Sequence, residues 1–218
     1  IETASFLLKK SWFKVFIWKF LFFYFPPIYR MLGFIKRISK EFEDYYALKT
    51  LFVSLVRPNL EYASVVWSPH QACHSERIER IQHNFLRFAL RMFRWTANPL
   101  PAYDSRCALL GLESIEDRRR IASALLIRDL LCGRIDSPHL TSKLRFEQRP
   151  YARRRHAKLV PFFHRTNYGK FEPLNNAIMN FNHYCDLFGF RSEESRGIFC
   201  DRLKLTLLTE RLGQHRSR

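Results

Sequence analysis

The chain has 218 residues, room for one domain or two small ones, and its 47% apolar content excludes wholesale disorder. It carries 37 Lys and Arg against 20 Asp and Glu, a formal net charge of +17 and a pI near 10.1. So basic a chain repels itself when compact unless a polyanion neutralises it. Nucleic acid is the first expected partner, an anionic membrane surface the second, and a basic surface without a partner the remaining alternative.

Residues 1–30 hold seven of the 21 Phe, among Lys, Trp and Tyr. The apolar run Val15–Phe25 is interrupted by Lys19 and stops at Pro26-Pro27. A spanning helix needs about 20 mostly apolar residues, and no small-residue cleavage site follows. This stretch is therefore expected to be a poorly ordered, aromatic-rich leader, with no transmembrane helix and no secretory signal. A chain that starts at Ile1 rather than Met also reads as a fragment.

From Met31 the pattern is helical. Met31–Phe42 reads as a short basic helix, and Asp44 is placed to cap the next. Leu48, Leu51, Phe52, Leu55 and Val56 recur at helical spacing until Pro58 breaks or kinks the run, and Leu60–Trp67 continues it to Ser68-Pro69. Ser75–Arg94 is the clearest helix: Ile78, Ile81, Phe85, Phe88, Ala89 and Met92 make one apolar face. Arg77, Arg80, Arg87, Arg91 and Arg94 fall at the same steps on another face, with Asn84 in the gap. Asp104 and Gly111 bracket a short helix; Ser114-x-x-Asp117 is a capping box opening a helix to about Cys132, with Gly133 as its stop. Leu51, Leu55, Phe85, Phe88 and Ile121 are the predicted core.

Residues 136–171 change character. Lys143, Arg145, Arg149, Arg153, Arg154, Arg155, Lys158, Arg165 and Lys170 stand against Asp136 and Glu147, and Pro138, Pro150 and Pro161 interrupt them. A basic linker with little regular structure is expected. Pro173 then suits the first turn of a helix over Leu174–Phe188, a last helix is expected near Ser195–Leu208, and the tail from Gly213 should fray. The fold class is all-α.

Catalytic and metal-binding patterns are weak. Two-metal polymerase chemistry needs grouped carboxylates, and the chain has no Asp-Asp pair. Glu193-Glu194 suits a solvated first helical turn. Cys73-His74, and His183 with Cys185 and Cys200, lack the paired spacing of a zinc site, and no Gly-rich phosphate loop occurs. No catalytic residue, no metal site and no cofactor is assigned. Cys73, Cys107, Cys132, Cys185 and Cys200 are odd in number and scattered, which predicts a reducing intracellular compartment, nuclear or cytoplasmic. The candidate nucleic-acid contacts are Arg77, Arg80, Arg87, Arg91 and Arg94 along one helix, which can follow a phosphate backbone, and Arg153, Arg154 and Arg155 in the linker. The alternative for the helix is a solvated face whose Arg pair with Glu76 and Glu79.

Leu32-Gly33-Phe34-Ile35-Lys36-Arg37, Leu48-Lys49-Thr50-Leu51, Ser54-Leu55-Val56-Arg57 and Leu60 through Pro69 together resemble the region just after the palm in Jockey-like non-LTR retrotransposon reverse transcriptases. The resemblance continues through Arg77-Ile78-Glu79-Arg80-Ile81-Gln82, Phe85 to Arg91, Tyr103-Asp104-Ser105-Arg106-Cys107, Leu109 to Leu112 and Asp117 to Arg120, and more loosely to Glu172-Pro173. It implies a helical thumb-like domain over 31–135, the basic linker over 136–171 and a helical C-terminal extension over 172–218. It also implies a grip on RNA template and DNA primer, or their RNA–DNA duplex, beside a palm and fingers carried by the rest of the parent transposable-element polymerase, which would need Mg. The family's catalytic Asp residues have no counterpart in this chain, so no polymerase activity is expected from it alone. A basic membrane-surface or scaffold protein is the competing expectation.

Overall fold

Pro26 and Pro27 open a helix instead of ending one. The computed structural model describes residues 26–42, 44–93, 100–147, 158–188 and 194–216, and its first helix, α1, covers residues 26–38. Proline has no N–H to strand in a first turn, and its fixed φ already suits the helix. Ile28, Leu32 and Ile35 then recur at four- and three-residue steps and are buried. Residues 26–30, expected in the leader, thus belong to folded structure; residues 1–25 lie outside the described residues. Among the described residues every regular element is helical, as the sequence predicts, and a single antiparallel bridge, Phe146 to Leu159, is the only β pairing.

The chain divides into two compact units, Ile1–Glu116 and Asp117–Arg218. The division falls earlier than the boundary expected at residue 135.

In the first unit, a short 3-10 turn (Ser39–Glu41) leads to α2 (Tyr45–Leu51), whose N-cap Asp44 accepts from the Tyr46 N–H at 2.8 Å. The helix then widens into a π-helical turn over Phe52–Val56 before α3 (Arg57–Glu61). Pro58 sits in the first turn of α3, where its missing N–H costs nothing, and the wide turn before it absorbs the misfit. This resolves the expected break at Pro58 and shifts the buried face. Leu48, Phe52, Val56 and Leu60, four residues apart, are buried, while Leu51 and Leu55 are only partly so. In a straight α-helix a four-residue repeat drifts by roughly 40° per step; a wider turn holds it on one side. Ala63 takes a left-handed conformation (φ 51°) and separates α3 from α4 (Ser64–Trp67), so the expected run Leu60–Trp67 is two pieces.

α5 (Ala72–Met92) starts a turn before the predicted helix. Its buried residues are Ile78, Ile81, Gln82, Phe85, Leu86, Ala89 and Leu90, with Phe88 partly buried at the edge. Phe85 and Phe52 stack with ring centroids 4.0 Å apart and 13° between planes. α6 (Tyr103–Leu109) ends in a left-handed Gly111 (φ 57°): the Leu112 N–H reaches Cys107 O at 2.8 Å and the Gly111 N–H reaches Ala108 O at 3.0 Å. This is the Schellman pattern, which needs a residue tolerant of positive φ. α7 (Ile115–Leu131) begins directly after Ser114 and closes the same way on Gly133, with Arg134 N–H to Asp129 O at 2.9 Å and Gly133 N–H to Leu130 O at 3.2 Å.

The second unit contains the rest of α7, α8 (Pro138–Thr141), α9 (Asn167–Lys170), α10 (Pro173–Phe188) and α11 (Arg196–Arg216). α11 runs through the residues expected to fray. Ile121, Ile127, Ile178, Phe181, Tyr184, Phe199 and Leu203 form its interior. The described part of the expected linker is held in place rather than loose. Asn182 accepts from the Leu159 N–H at 3.0 Å and donates to Leu159 O at 2.7 Å, as a neighbouring strand would. Two turns earlier on α10, Asn175 accepts from the Phe162 N–H at 2.8 Å and donates to Lys170 O at 2.7 Å. Asn182→Ala would strand both polar groups of a residue that is 1% exposed. The expected cost is about 1–3 kcal/mol, read as a lower urea midpoint with loss of hydrogen-exchange protection at the Leu159 amide.

Candidate nucleic-acid interface

α5 turns two unlike faces outward and inward. Arg77, Arg80, Arg87 and Arg91 are exposed, on the side opposite the buried Ile78, Phe85 and Ala89. At 1.5 Å per residue the stripe is roughly 21 Å long. The carboxylates expected to quench it are engaged elsewhere or stand apart. Glu79 accepts from the Tyr103 hydroxyl and from the Ile115 N–H, the latter at 3.1 Å. Among the described residues no carboxylate pairs with Arg77, Arg80, Arg87 or Arg91. Arg94, Arg153, Arg154 and Arg155 lie outside the described residues.

The helix can present that stripe because a polar network fixes its other flank. Gln82, fully buried, donates to the Tyr103 hydroxyl at 3.0 Å and to Glu113 O at 2.9 Å. Arg57 donates to the same Glu113 carbonyl at 2.9 Å and pairs with Glu61 at 2.9 Å. Burial, then the Glu79 charge, raises the Tyr103 pKa far above its usual value, so the hydroxyl stays a donor. The segment Arg77-Ile78-Glu79-Arg80-Ile81-Gln82 therefore splits three ways: the Arg face solvent, the Ile fill the core, and Glu79 and Gln82 tie down α6 and the strand of chain after it. Sequence periodicity separated the first two groups and missed the third, because Glu and Gln in a helix ordinarily read as surface.

Two further residues lie beside the stripe without being part of its exposed face. His83 stacks on Tyr103 with ring centroids 3.8 Å apart and 12° between planes, and its Nδ1 lies 3.3 Å from Arg106 Nη2. Arg106 is 6% exposed, and its Nε and Nη1 have no hydrogen-bond partner. Burial lowers the His83 pKa, and Arg106, Arg87 and Arg80 lower it further against a weaker opposite pull from Asp104. The imidazole is thus neutral near pH 7, with Nδ1 accepting. An unfolded His takes up its proton near pH 6.5, and the folded one only at lower pH. Stability is therefore complete above pH 6.5 and lost as pH falls through that window. His83→Gln is expected to flatten this loss when urea midpoints at pH 7.5 and 5.5 are compared with those of the wild type; an unchanged slope would show that His83 is not a source of it.

Not all positive charge is at the surface. Arg57, Arg106, Arg119 and Arg128 are buried. Arg128 bonds Asp129 at 3.1 Å and the Glu194 carbonyl, and lies 5.6 Å from the Phe199 ring centre. Arg196 pairs with Asp129 at 3.2 Å and Arg202 with Glu194 at 3.1 Å, closing a network between α7 and the start of α11. Of the run Arg118-Arg119-Arg120, Arg119 is buried and Arg120 lies by Glu210 at 3.6 Å and over the Tyr184 ring at 5.8 Å.

Burial raises the Cys107 thiol pKa and pushes that of Cys185 up to about 12, so neither is an activated nucleophile. Among the described residues no group of three or more His, Cys, Asp or Glu is placed to hold a metal ion, and no helix is long and apolar enough to cross a membrane. Comparison with protein-family models, curated proteins and solved structures finds no match.

Proposed function

We propose that the chain is the template- and primer-gripping, thumb-and-tail part of a Jockey-like non-LTR retrotransposon reverse transcriptase, catalytically incomplete by itself. The observation that carries the nucleic-acid reading is the row of exposed, unpaired guanidiniums on α5, opposite its buried face. Such a row meets phosphates of any sequence, and each contact releases condensed counterions. The family part of the proposal rests on the motif resemblance alone. In this reading RNA template and DNA primer are the partners, the palm carboxylates and their Mg belong to the parent polymerase, and the chain works inside the cell.

Titrating the chain with labelled RNA–DNA duplexes of unrelated sequence, at several salt concentrations, tests the reading. Affinities are expected to be alike across sequences and to fall steeply with salt, with no nucleotide addition to the primer by the chain alone. Flotation with anionic vesicles, together with no retention of duplex at low salt, would overturn it in favour of a membrane-surface protein.

A further inference from the structure

We propose that the corner between α5 and α6 is a seat for a single phosphate group, held jointly by Arg87 and Arg106. The proposal deepens the nucleic-acid reading and rests on it for the source of the phosphate. Arg87 projects from the exposed stripe, and Arg106 comes from the neighbouring helix. The two are close enough that the charge of Arg87 acts on Arg106, after burial, to disfavour its charged form. A guanidinium so buried ordinarily has acceptors for its donors. Arg106 has one, His83 Nδ1 at 3.3 Å, while Nε and Nη1 have none. The nearby faces are the ring of Tyr103, 5.9 Å from the Arg106 guanidinium carbon, and His83, itself stacked on Tyr103. A buried cation with unmet donors, within the field of a second, exposed cation, is short of one anion with several acceptor oxygens, and a phosphate diester supplies it in the planar geometry a guanidinium fork matches. The Nε and Nη1 donors are closed to solvent in the free protein, so the seat completes as the Arg106 guanidinium moves toward Arg87 and the arriving oxygens. His83 acts as a positioning residue, holding Nη2 from the other side.

A shared seat differs from two independent contacts in how the substitutions combine. With the full chain and a labelled RNA–DNA duplex, Arg87→Gln and Arg106→Gln are each expected to flatten the log–log salt dependence by about 0.9, and the double variant by the same total of about 0.9 rather than about 1.8. Between 50 and 200 mM salt this is roughly a 3.5-fold change for each variant. A double variant near 1.8, or an Arg106→Gln variant with the wild-type slope, overturns the seat. The second arm uses inorganic phosphate and the intact fold. The Arg106 Nε–H signal of the 15N-labelled chain is expected to shift on phosphate addition and not on chloride at equal ionic strength, and the shift should be lost in Arg87→Gln, an exposed position that leaves folding intact. No phosphate-specific shift overturns the seat. A chain that shows the shift but binds no duplex keeps the seat for free phosphate and overturns the nucleic-acid reading instead.

Discussion

Phe85→Ala is expected to cost about 3–5 kcal/mol, the largest single-residue effect in the first unit. Phe85 is fully buried and stacks on Phe52, equally buried, at 4.0 Å. Truncation removes a whole ring from a site walled by Ile81 and Ala89 on its own helix and by the widened turn of Phe52–Val56 opposite. A rigid helix cannot close that volume, so the cavity adds to the lost transfer energy. With a urea slope near 2 kcal/mol per M, a loss of about 4 kcal/mol lowers the midpoint by about 2 M. Phe88, partly buried on the same helix, is the internal comparison and should cost clearly less. Equal costs at the two positions, or a neutral Phe85→Ala, would mean that α5 is rotated about its axis and that its Arg row does not face solvent.

That row and that core were both legible in the sequence, and for one reason: α5 is long, regular and strongly two-faced, so three- and four-residue steps map onto its sides. The helix stops at Gly111 and Gly133 were legible because few residues other than glycine accept the left-handed conformation of a Schellman turn. Leu51 and Leu55 pack against the core but are only partly buried, because regular periodicity assumes 3.6 residues per turn and the chain departs from it just before Pro58. Pro26 was read as a stop although the same chemistry serves a start. The docking of residues 158–164 by Asn175 and Asn182 was invisible, since an asparagine that stands in for a β-strand has the same local signature as one in solvent. Arg106, on which the proposed phosphate seat rests, was not singled out in the sequence because its setting joins Tyr103 and His83, on two elements that the sequence does not pair.

The charge total carries a related lesson. A net charge of +17 argues for a polyanion partner but does not say where it sits. Arg57 and Arg128 are held inside by carbonyls and carboxylates, Lys158 pairs with Asp186 at 2.6 Å, and Arg120 lies by Glu210. Each of these cations holds its own unit together and is screened or desolvated from outside. On the proposed reading, electrostatic attraction for an approaching duplex falls to residues like those of the α5 row, which are exposed and pair with no carboxylate among the described residues. Exposed pairs would have been worth little to stability in any case; leaving the row unpaired costs the fold little and keeps four guanidiniums ready for phosphate.

Replacing Arg77, Arg80, Arg87 and Arg91 together by Gln is therefore expected to abolish most of the salt-sensitive binding while leaving the fold unchanged. Gln is a good helix former and the four positions are exposed, so the variant should melt within about 0.5 kcal/mol of the wild type. If each Arg meets one phosphate, the log–log salt slope loses about 3.6. Between 50 and 200 mM salt the affinity of the wild type should then fall about 150-fold more than that of the variant. The loss should be the same for duplexes of unrelated sequence, because phosphate contacts carry no base information. Replacing the same four residues by Lys separates charge from geometry: the slope should return, since the counterions are displaced again, while affinity at fixed salt stays below that of the wild type for want of two-pronged hydrogen bonding. A Gln variant that is folded and retains both the wild-type slope and the wild-type affinity would make the α5 row an ordinary solvated face and remove the observation on which the proposed function stands.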